Sequence, residues 1–287
     1  MPEGHTVHRI ARLHREAFAG RGVRVTSPQG RFAAGAARLD GRTLDDVEAY
    51  GKQLFYRFGS DILHIHLGLV GKFLIYHGEA PAPTAGTRLS IAAGETVAYL
   101  AGPMVCELID PDTEKQIVAG LGPDPLGGGT EEQFAAMVAR RSAPIGAALL
   151  DQSVIAGVGN VYRAEALFLC GIHPDRPARA LQPREVACLW RTIAGAMRLG
   201  ERLGRIVTVS PEEVGAASPE DLAASDDERL YAYRRAGLPC RRCATELRAW
   251  TVGARTITAC PHCQPPHPLR RTVQDGPAGA TEEVRGC

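Results

Sequence analysis

Residues 149–174 read LLDQSVIAGVGNVYRAEALFLCGIHP. Gly157 and Gly159 mark a tight turn, Asn160 follows it, and Val161, Ala164, Leu167 and Phe168 then recur at helical spacing. The residues before the turn are also helix-like, so the stretch reads as helix, turn, helix. A helix start presents unpaired backbone N–H groups, and with an Asn amide beside them it can hold a phosphate. An ordinary interhelical turn is the plainer reading of these residues alone. A dinucleotide-binding loop does not fit: Tyr162 stands where that pattern needs its last glycine, and the preceding segment is helical rather than a strand.

Outward from this stretch, the pattern is helical from about Glu131: EEQFAAMVARR, IGAALLDQSVI, VYRAEALFLCG and PREVACLWRTIAGAMRLGERL. These segments predict a helical middle domain. Upstream, residues 22–110 read mostly as strands separated by Gly and Pro, with period-2 alternation in ILHIHL (62–67). LGPDPL (121–126) is a turn-rich connection. At the front, Val7, Ile10, Ala11, Ala17 and Phe18 fall at helical spacing, and Gly20 ends that helix. Residues 209–228 are polar, acidic and rich in Pro, Ala and Ser, which predicts a linker or mobile loop. The Pro/Gly-rich tail from Pro265 to Cys287 reads as disordered, and no internal repeat stands out.

The chain has 287 residues, 45% hydrophobic and 23% charged, an ordinary globular composition with room for one large domain or two modest ones. No run of 18 apolar residues predicts a membrane span. His5, His8, Arg9, Arg12 and His14 interrupt any signal-peptide core, so a cytoplasmic location is expected. The net charge of +1 does not announce a nucleic-acid partner, but it is an average that can hide a basic face. Lys52, Lys72 and Lys115 stand against 30 arginines. Each lysine therefore draws notice, since Lys gives up its proton far more readily than Arg.

Eight cysteines in such a chain argue for a metal or isolated thiols rather than disulfides. Cys106, Cys170, Cys188 and Cys287 are scattered and read as isolated thiols. The other four form two knuckles, CRRC at 240–243 and CPHC at 260–263, sixteen residues apart. Four thiolates at this spacing suit one tetrahedral Zn²⁺, and a full set of sulfurs makes it structural. His262 and His267 are then not ligands. The insert alternates around Gly253, as a β-hairpin does, so the whole reads as a zinc ribbon. Arg241, Arg242, Arg248, Arg255, Arg270 and Arg271 face a single acid, Glu246. That suits phosphate contact, although a solvated basic face has the same composition.

The chain opens MPEGHTVHRIARL. Met before Pro is normally trimmed, which leaves the secondary amine of Pro2 beside the carboxyl of Glu3. Such an amine can attack an electrophilic carbon and form a covalent intermediate. Alone, the opening carries little weight, and Lys52 in YGKQLFYRF (50–58) is by itself a surface lysine at a turn.

Taken together, MPEG, GKQLF, HLGLVGKF, LGPDPL, the 149–174 stretch, YRRAGLPCRRC and RTITACPHCQ occur in the order found in the formamidopyrimidine-DNA glycosylase/endonuclease VIII family, which the chain resembles over about residues 2–265. The resemblance implies an α+β multidomain fold. A β-sandwich with a leading helix would span 2–120, a helix–two-turn–helix domain 130–235, a zinc ribbon 236–265 and a disordered tail 266–287. It also implies a monomer that excises oxidised bases from double-stranded DNA and then cleaves the abasic strand. By resemblance Pro2 is the nucleophile at C1′, Glu3 the general acid/base, and Lys52 the cation beside the lesion phosphate. Asn160 and Arg255 would grip backbone phosphates, and Leu69 would fill the gap left by the flipped base.

Three departures bear on the branch. The family opening usually carries a second Glu where this chain has Thr6. GPMVCE (102–107) lacks the Arg and Phe of the formamidopyrimidine branch, and 209–228 does not resemble that branch's purine-covering loop. The last two favour the endonuclease VIII side and oxidised pyrimidines. A purine-directed glycosylase and a non-catalytic zinc-ribbon protein that binds damaged duplex are the competing readings.

Overall fold

The computed structural model describes residues 2–225 and 228–266. In chain order it runs α1 Gly4–Phe18, β1 Arg21–Gly22, β2 Arg24–Thr26, α2 Ala33–Leu39, β3 Thr43–Leu44, β4 Asp46–Tyr50, β5 Gln53–Phe58 and β6 Asp61–His66. Then come β7 Lys72–His77, β8 Thr87–Ala93, β9 Thr96–Ala101, β10 Val105–Ile109, α3 Pro111–Ala119, α4 Glu131–Ala139, α5 Ile145–Ala148 and α6 Asn160–Leu169. The last elements are α7 Pro183–Leu203, α8 Pro211–Val214, α9 Pro219–Ala224, β11 Arg248–Val252 and β12 Arg255–Ala259.

The alternating segments build two four-stranded antiparallel sheets, ordered β10-β6-β5-β4 and β2-β8-β9-β7. Side chains of one face of each strand meet between them: Leu54, Leu63 and Ile65 from the first, Leu89, Ile91 and Leu100 from the second. α1 adds Val7, Ala11 and Phe18, a stripe at helical spacing, to the same core. This is the expected sandwich with its leading helix.

The helical part is organised by α7, whose buried Val186, Leu189, Trp190, Ile193 and Met197 follow one face. Gln182 and Glu185 form a capping box at its start, and Gly204 at φ 73° ends it. Phe134, Ile145, Leu167 and Val158 pack on that face. The β11–β12 hairpin turns at Gly253 (φ 64°) and sends Val252 and Ile257 into the same core, so it is not a free appendage.

Several expectations need correction. Residues 209–228 are not simply a mobile loop: α8 and α9 form there, Ser218 caps α9 by accepting from Asp221 N, and Leu222 and Ala223 are buried. IGAALLDQSVI is helical only over α5, because Asp151 and Ser153 bond their own turn. α2 and α3 were unexpected. α3 carries a legible start, with Asp110 accepting from Thr113 N and Pro111 in the first turn. Cys170 and Cys188, expected as isolated thiols, are joined as a disulfide between the end of α6 and α7, their Cα atoms 6.0 Å apart. Packing of α6 on α7, invisible in the sequence, brings them into range. His267 and all but the first residue or two of the expected tail lie outside the described residues. No described helix is long and apolar enough to cross a membrane.

One buried acid ties the chain after α9 to α6. Glu165 is fully buried and accepts from the backbone N–H groups of Tyr231 (2.8 Å), Ala232 (2.8 Å) and Tyr233 (2.7 Å), and from the Thr208 hydroxyl. Glu165→Ala strands these donors in the interior, and leaving even one unsatisfied costs about 1–3 kcal/mol. We expect urea denaturation to show a loss of at least that size; a change under about 0.5 kcal/mol, the size of an ordinary surface substitution, would remove Glu165 from this role.

Candidate active site

α6 begins without a local cap: its N-cap residue, Gly159, has no side chain to offer. The missing acceptor arrives from the start of the chain. Glu3, the N-cap residue of α1, is fully buried, and its carboxyl accepts from Gly159 N (2.8 Å), Val161 N (2.9 Å) and Tyr162 N (3.4 Å). Backbone joins backbone beside it, Gly4 N donating to Gly157 O at 2.8 Å. The approach dictates the residue types. A Cβ on Gly159 would stand 2.4 Å from the Glu3 carboxyl carbon. One on Gly51, which also sits at φ 58°, would stand 2.9 Å from the Ala156 Cβ.

Burial pushes the Glu3 carboxyl above its ordinary range, against the opposing pull of Lys52 and of the three N–H groups. Lys52 sits in the turn between β4 and β5 and donates from Nζ to Val158 O at 2.6 Å. Burial lowers its pKa, Glu3 opposes that, and Arg255 adds to it. The interior therefore draws both members of the Glu3–Lys52 pair toward their neutral forms.

Pro2 faces two adjoining clefts. One, about 290 Å³, is lined by Pro2, Lys52, Leu69, Met104, Gln152 and Arg255 among others. The second, about 510 Å³, includes Pro2, His5, Thr6, Lys72, Arg229 and Arg234. No acidic side chain lines either cleft among the described residues. The near-zero net charge thus conceals a cationic hollow around the N-terminus.

The sequence-derived residues converge here: Pro2, Lys52, Leu69 and Arg255 share the smaller cleft, and Glu3 lies directly beneath it. Asn160 opens α6 as expected, but much of its amide is already engaged. Its nitrogen donates to Thr256 O at 3.1 Å and its oxygen accepts from the buried Arg163. One N–H remains for a ligand. Arg163, which burial beside Arg255 brings down to about 10, also donates to Gly146 O and Thr256 O and so fixes the ribbon to α6.

Reading from sequence missed four contributors. Gln152 holds the glycine turn, donating to Val158 O and accepting from Gly157 N. Gly159 makes room for Glu3. Asp124 is buried beneath the Lys52 turn, with Gly51 N donating to it. Met104 is 66% exposed beside Leu69 (58%) and Val70 (78%), three large apolar side chains open to solvent at the rim. Isolated exposure is ordinary, but three at a cleft mouth mark a contact surface. Gly159 showed in the sequence only as a turn glycine, and the other three leave no local trace.

The four ribbon cysteines place all their sulfurs within 4.8 Å of one another. Pairs stand at 3.5 Å (Cys243–Cys260), 3.5 Å (Cys243–Cys263) and 3.9 Å (Cys240–Cys263). Tetrahedral zinc with Zn–S bonds of about 2.3 Å needs sulfurs about 3.8 Å apart, so the set fits one such ion. Among the described residues no histidine belongs to the group.

Family models match in two blocks: the formamidopyrimidine-DNA glycosylase N-terminal domain over residues 1–101 and the formamidopyrimidine-DNA glycosylase H2TH (helix–two-turn–helix) domain over residues 121–210. The chain is 44% identical over 270 residues to endonuclease 8 1 of Mycobacterium tuberculosis, covering 92% of this chain and 100% of that protein. The chain belongs to the formamidopyrimidine-DNA glycosylase/endonuclease VIII family. It is also 34% identical to the DNA-(apurinic or apyrimidinic site) lyase Nei2 of Mycolicibacterium smegmatis, over 92% of this chain and 99% of that one. Among solved structures, Lactococcus lactis Fpg in complex with DNA containing an abasic site superposes with a TM-score of 0.75 at 23% identity, over 92% of this chain and 100% of that chain. That likeness establishes the fold.

The surroundings of two glycines predict opposite outcomes. Gly159→Ala forces a methyl against Glu3 and should destabilise by about 1–3 kcal/mol, as overpacking does. Gly195→Ala, on α7 with nothing within 4 Å of the added carbon, should stabilise by up to about 1 kcal/mol. Urea denaturation of both reads the difference; equal effects would mean that Glu3 does not press on Gly159.

Proposed function

We propose that this chain is a bifunctional DNA glycosylase and abasic-site lyase of base excision repair that works through a Schiff base on its N-terminal proline. The observation that carries this reading is the placement of Pro2 at the mouth of an acid-free cationic cleft, with the Glu3 carboxyl buried beneath and Lys52 alongside. With Met1 removed, the Pro2 amine attacks C1′ of the damaged nucleotide. The C1′–base bond breaks, and the nitrogen lone pair completes an iminium as the sugar ring opens. Glu3, whose carboxyl burial pushes toward its protonated form, supplies the proton to the sugar oxygen. β-Elimination follows: the C2′ proton is lost to solvent, its electron pair forms the C2′=C3′ bond, and the 3′ C–O bond breaks with the phosphate leaving.

Lys52 and Arg255 are placed to hold the phosphates flanking that sugar, and Asn160 a neighbouring one through its remaining N–H. Leu69, with Met104 beside it, is the apolar wedge that replaces the extruded base. Zinc, held by Cys240, Cys243, Cys260 and Cys263, would stiffen the hairpin that carries Arg255, and four sulfurs supplied by the chain would make its role structural. The reading takes the chain as a monomer acting on double-stranded DNA. Activity on chromosomal DNA in the cytoplasm is the matching location. Without Arg or Phe in residues 102–107, and with short helices at Pro211–Val214 and Pro219–Ala224, the branch reading favours oxidised pyrimidines over purines.

Borohydride added to reactions on duplexes carrying an abasic site, thymine glycol or 8-oxoguanine should trap an adduct mapped to Pro2, stronger with thymine glycol than with 8-oxoguanine. Pro2→Gly should still trap through its primary amine and Glu3→Gln should not accumulate product at the normal rate. No adduct from protein lacking Met1 that still binds DNA would leave the binding-protein reading; a purine preference would reverse the branch. Separately, Arg255→Ala should weaken duplex binding and reduce the slope of log affinity against log salt by about 1. An unchanged slope takes Arg255 off the phosphate.

A further inference from the structure

LGPDPL, read from sequence as a mere connection, buries an acid at the junction of three elements. Asp124 is fully buried. Its Oδ2 accepts from Gly51 N at 2.7 Å and from His8 Nε2 at 2.7 Å, and its Oδ1 from Leu126 N at 2.9 Å. His8 lies on α1, whose N-terminus carries Pro2 and Glu3. Gly51 is the residue before Lys52. The same turn is held again on either side: the Tyr50 hydroxyl donates to Gly122 O at 3.0 Å, and His66 Nδ1 donates to Lys52 O at 2.9 Å. A carboxylate has the two oxygens these three donors require, and its contacts with His8 and the two N–H groups outweigh burial and hold it below its usual range.

Resting on the function proposed above, we propose that Asp124, gripped by His8, is a positioning residue. It fixes the β4–β5 turn relative to α1, so that Lys52 meets the cleft at Pro2, and it governs the rate of the chemical step rather than affinity for DNA. Asp124 itself lines neither cleft. Its effect must pass through the turn.

The three lysines make this directly readable. Limited acetylation followed by peptide mass spectrometry resolves Lys52, Lys72 and Lys115 in one digest. Asp124→Asn supplies one oxygen for three donors and should raise Lys52 labelling about fivefold or more, as a loosened support allows, while Lys72 and Lys115 stay unchanged as internal references. His8→Leu should do the same to a smaller degree, and His8→Gln, whose amide N–H still reaches Asp124, should restore the native value. In single-turnover nicking of an abasic duplex, Asp124→Asn should slow the step about tenfold, with binding of an uncleavable tetrahydrofuran duplex within about twofold. Combined with Lys52→Gln it should add little further loss, because both act through one group.

Unchanged Lys52 labelling in folded Asp124→Asn protein, or fully additive rate losses, would overturn the proposal. If Asp124→Asn does not fold, the His8→Leu and His8→Gln pair decides by the same labelling. If the native protein fails to nick, the functional reading fails, while the labelling still reports whether Asp124 holds Lys52.

Discussion

A buried carboxyl that completes another element's helix is the constraint on which the rest depends. α6 has no cap of its own, and Glu3 supplies it from the far end of the sequence. Removing Glu3 from water is costly, and the offset comes from three N–H groups, the positive end of α6 and the nearby Lys52. None of these exists until the sandwich and the helices dock. The docked arrangement is thereby specified to a fraction of an ångström by glycines that leave no slack. Positioning the acid and building the cleft are one event.

The same device recurs across the other junctions. Glu165 gathers the chain after α9, Asp124 gathers α1 and the Lys52 turn, and Arg163 gathers the ribbon hairpin. In each case a charged side chain answers backbone groups of a distant segment, and at Asp124 the His8 imidazole joins them. Backbone partners cannot be exchanged by substitution and have fixed geometry, so such contacts define orientation more sharply than a surface ion pair would. The ribbon shows the consequence. Its hairpin shares its core with α6 and α7, and Arg163 binds it again from beneath, so Arg255 is presented by a surface fixed at several points.

What was legible in the sequence was what is local. The stripe Val7, Ala11, Phe18, the alternation in ILHIHL and the paired cysteine knuckles each arise from one periodicity or one chemistry, and the fold follows from them. The site was legible mainly through resemblance; Pro2 and Lys52 carry no periodic signal. Asp124 looked like turn punctuation because its partners, His8 and Gly51, are more than 70 residues away. Composition misled at 209–228, where Pro and Ser in fact start two helices: Pro211 and Pro219 occupy first turns and Ser218 caps. It misled again at Cys170 and Cys188, since the spacing between two cysteines says nothing about how the helices bearing them pack.

The depth of Glu3 also resolves a conflict between chemistry and binding. A surface that approaches phosphates must be cationic, yet opening the sugar needs an acid. Placed on the wall of the cleft, a carboxylate would repel the backbone it serves and would ionise in the solvent. Sunk beneath Gly159, it leaves the walls to Lys52, Lys72, Arg229, Arg234 and Arg255, and burial itself pushes it toward the protonated form. Thr6 fits this arrangement. Its hydroxyl pairs with Nε2 of His5, whose ring is buried edge-on against Tyr162 and brought down to about 3, hence neutral. A second carboxylate at position 6 would have put a negative charge on the cleft wall, where Thr6 puts none. The N-terminal segment thus carries one acid, sunk beneath the cleft rather than on its wall.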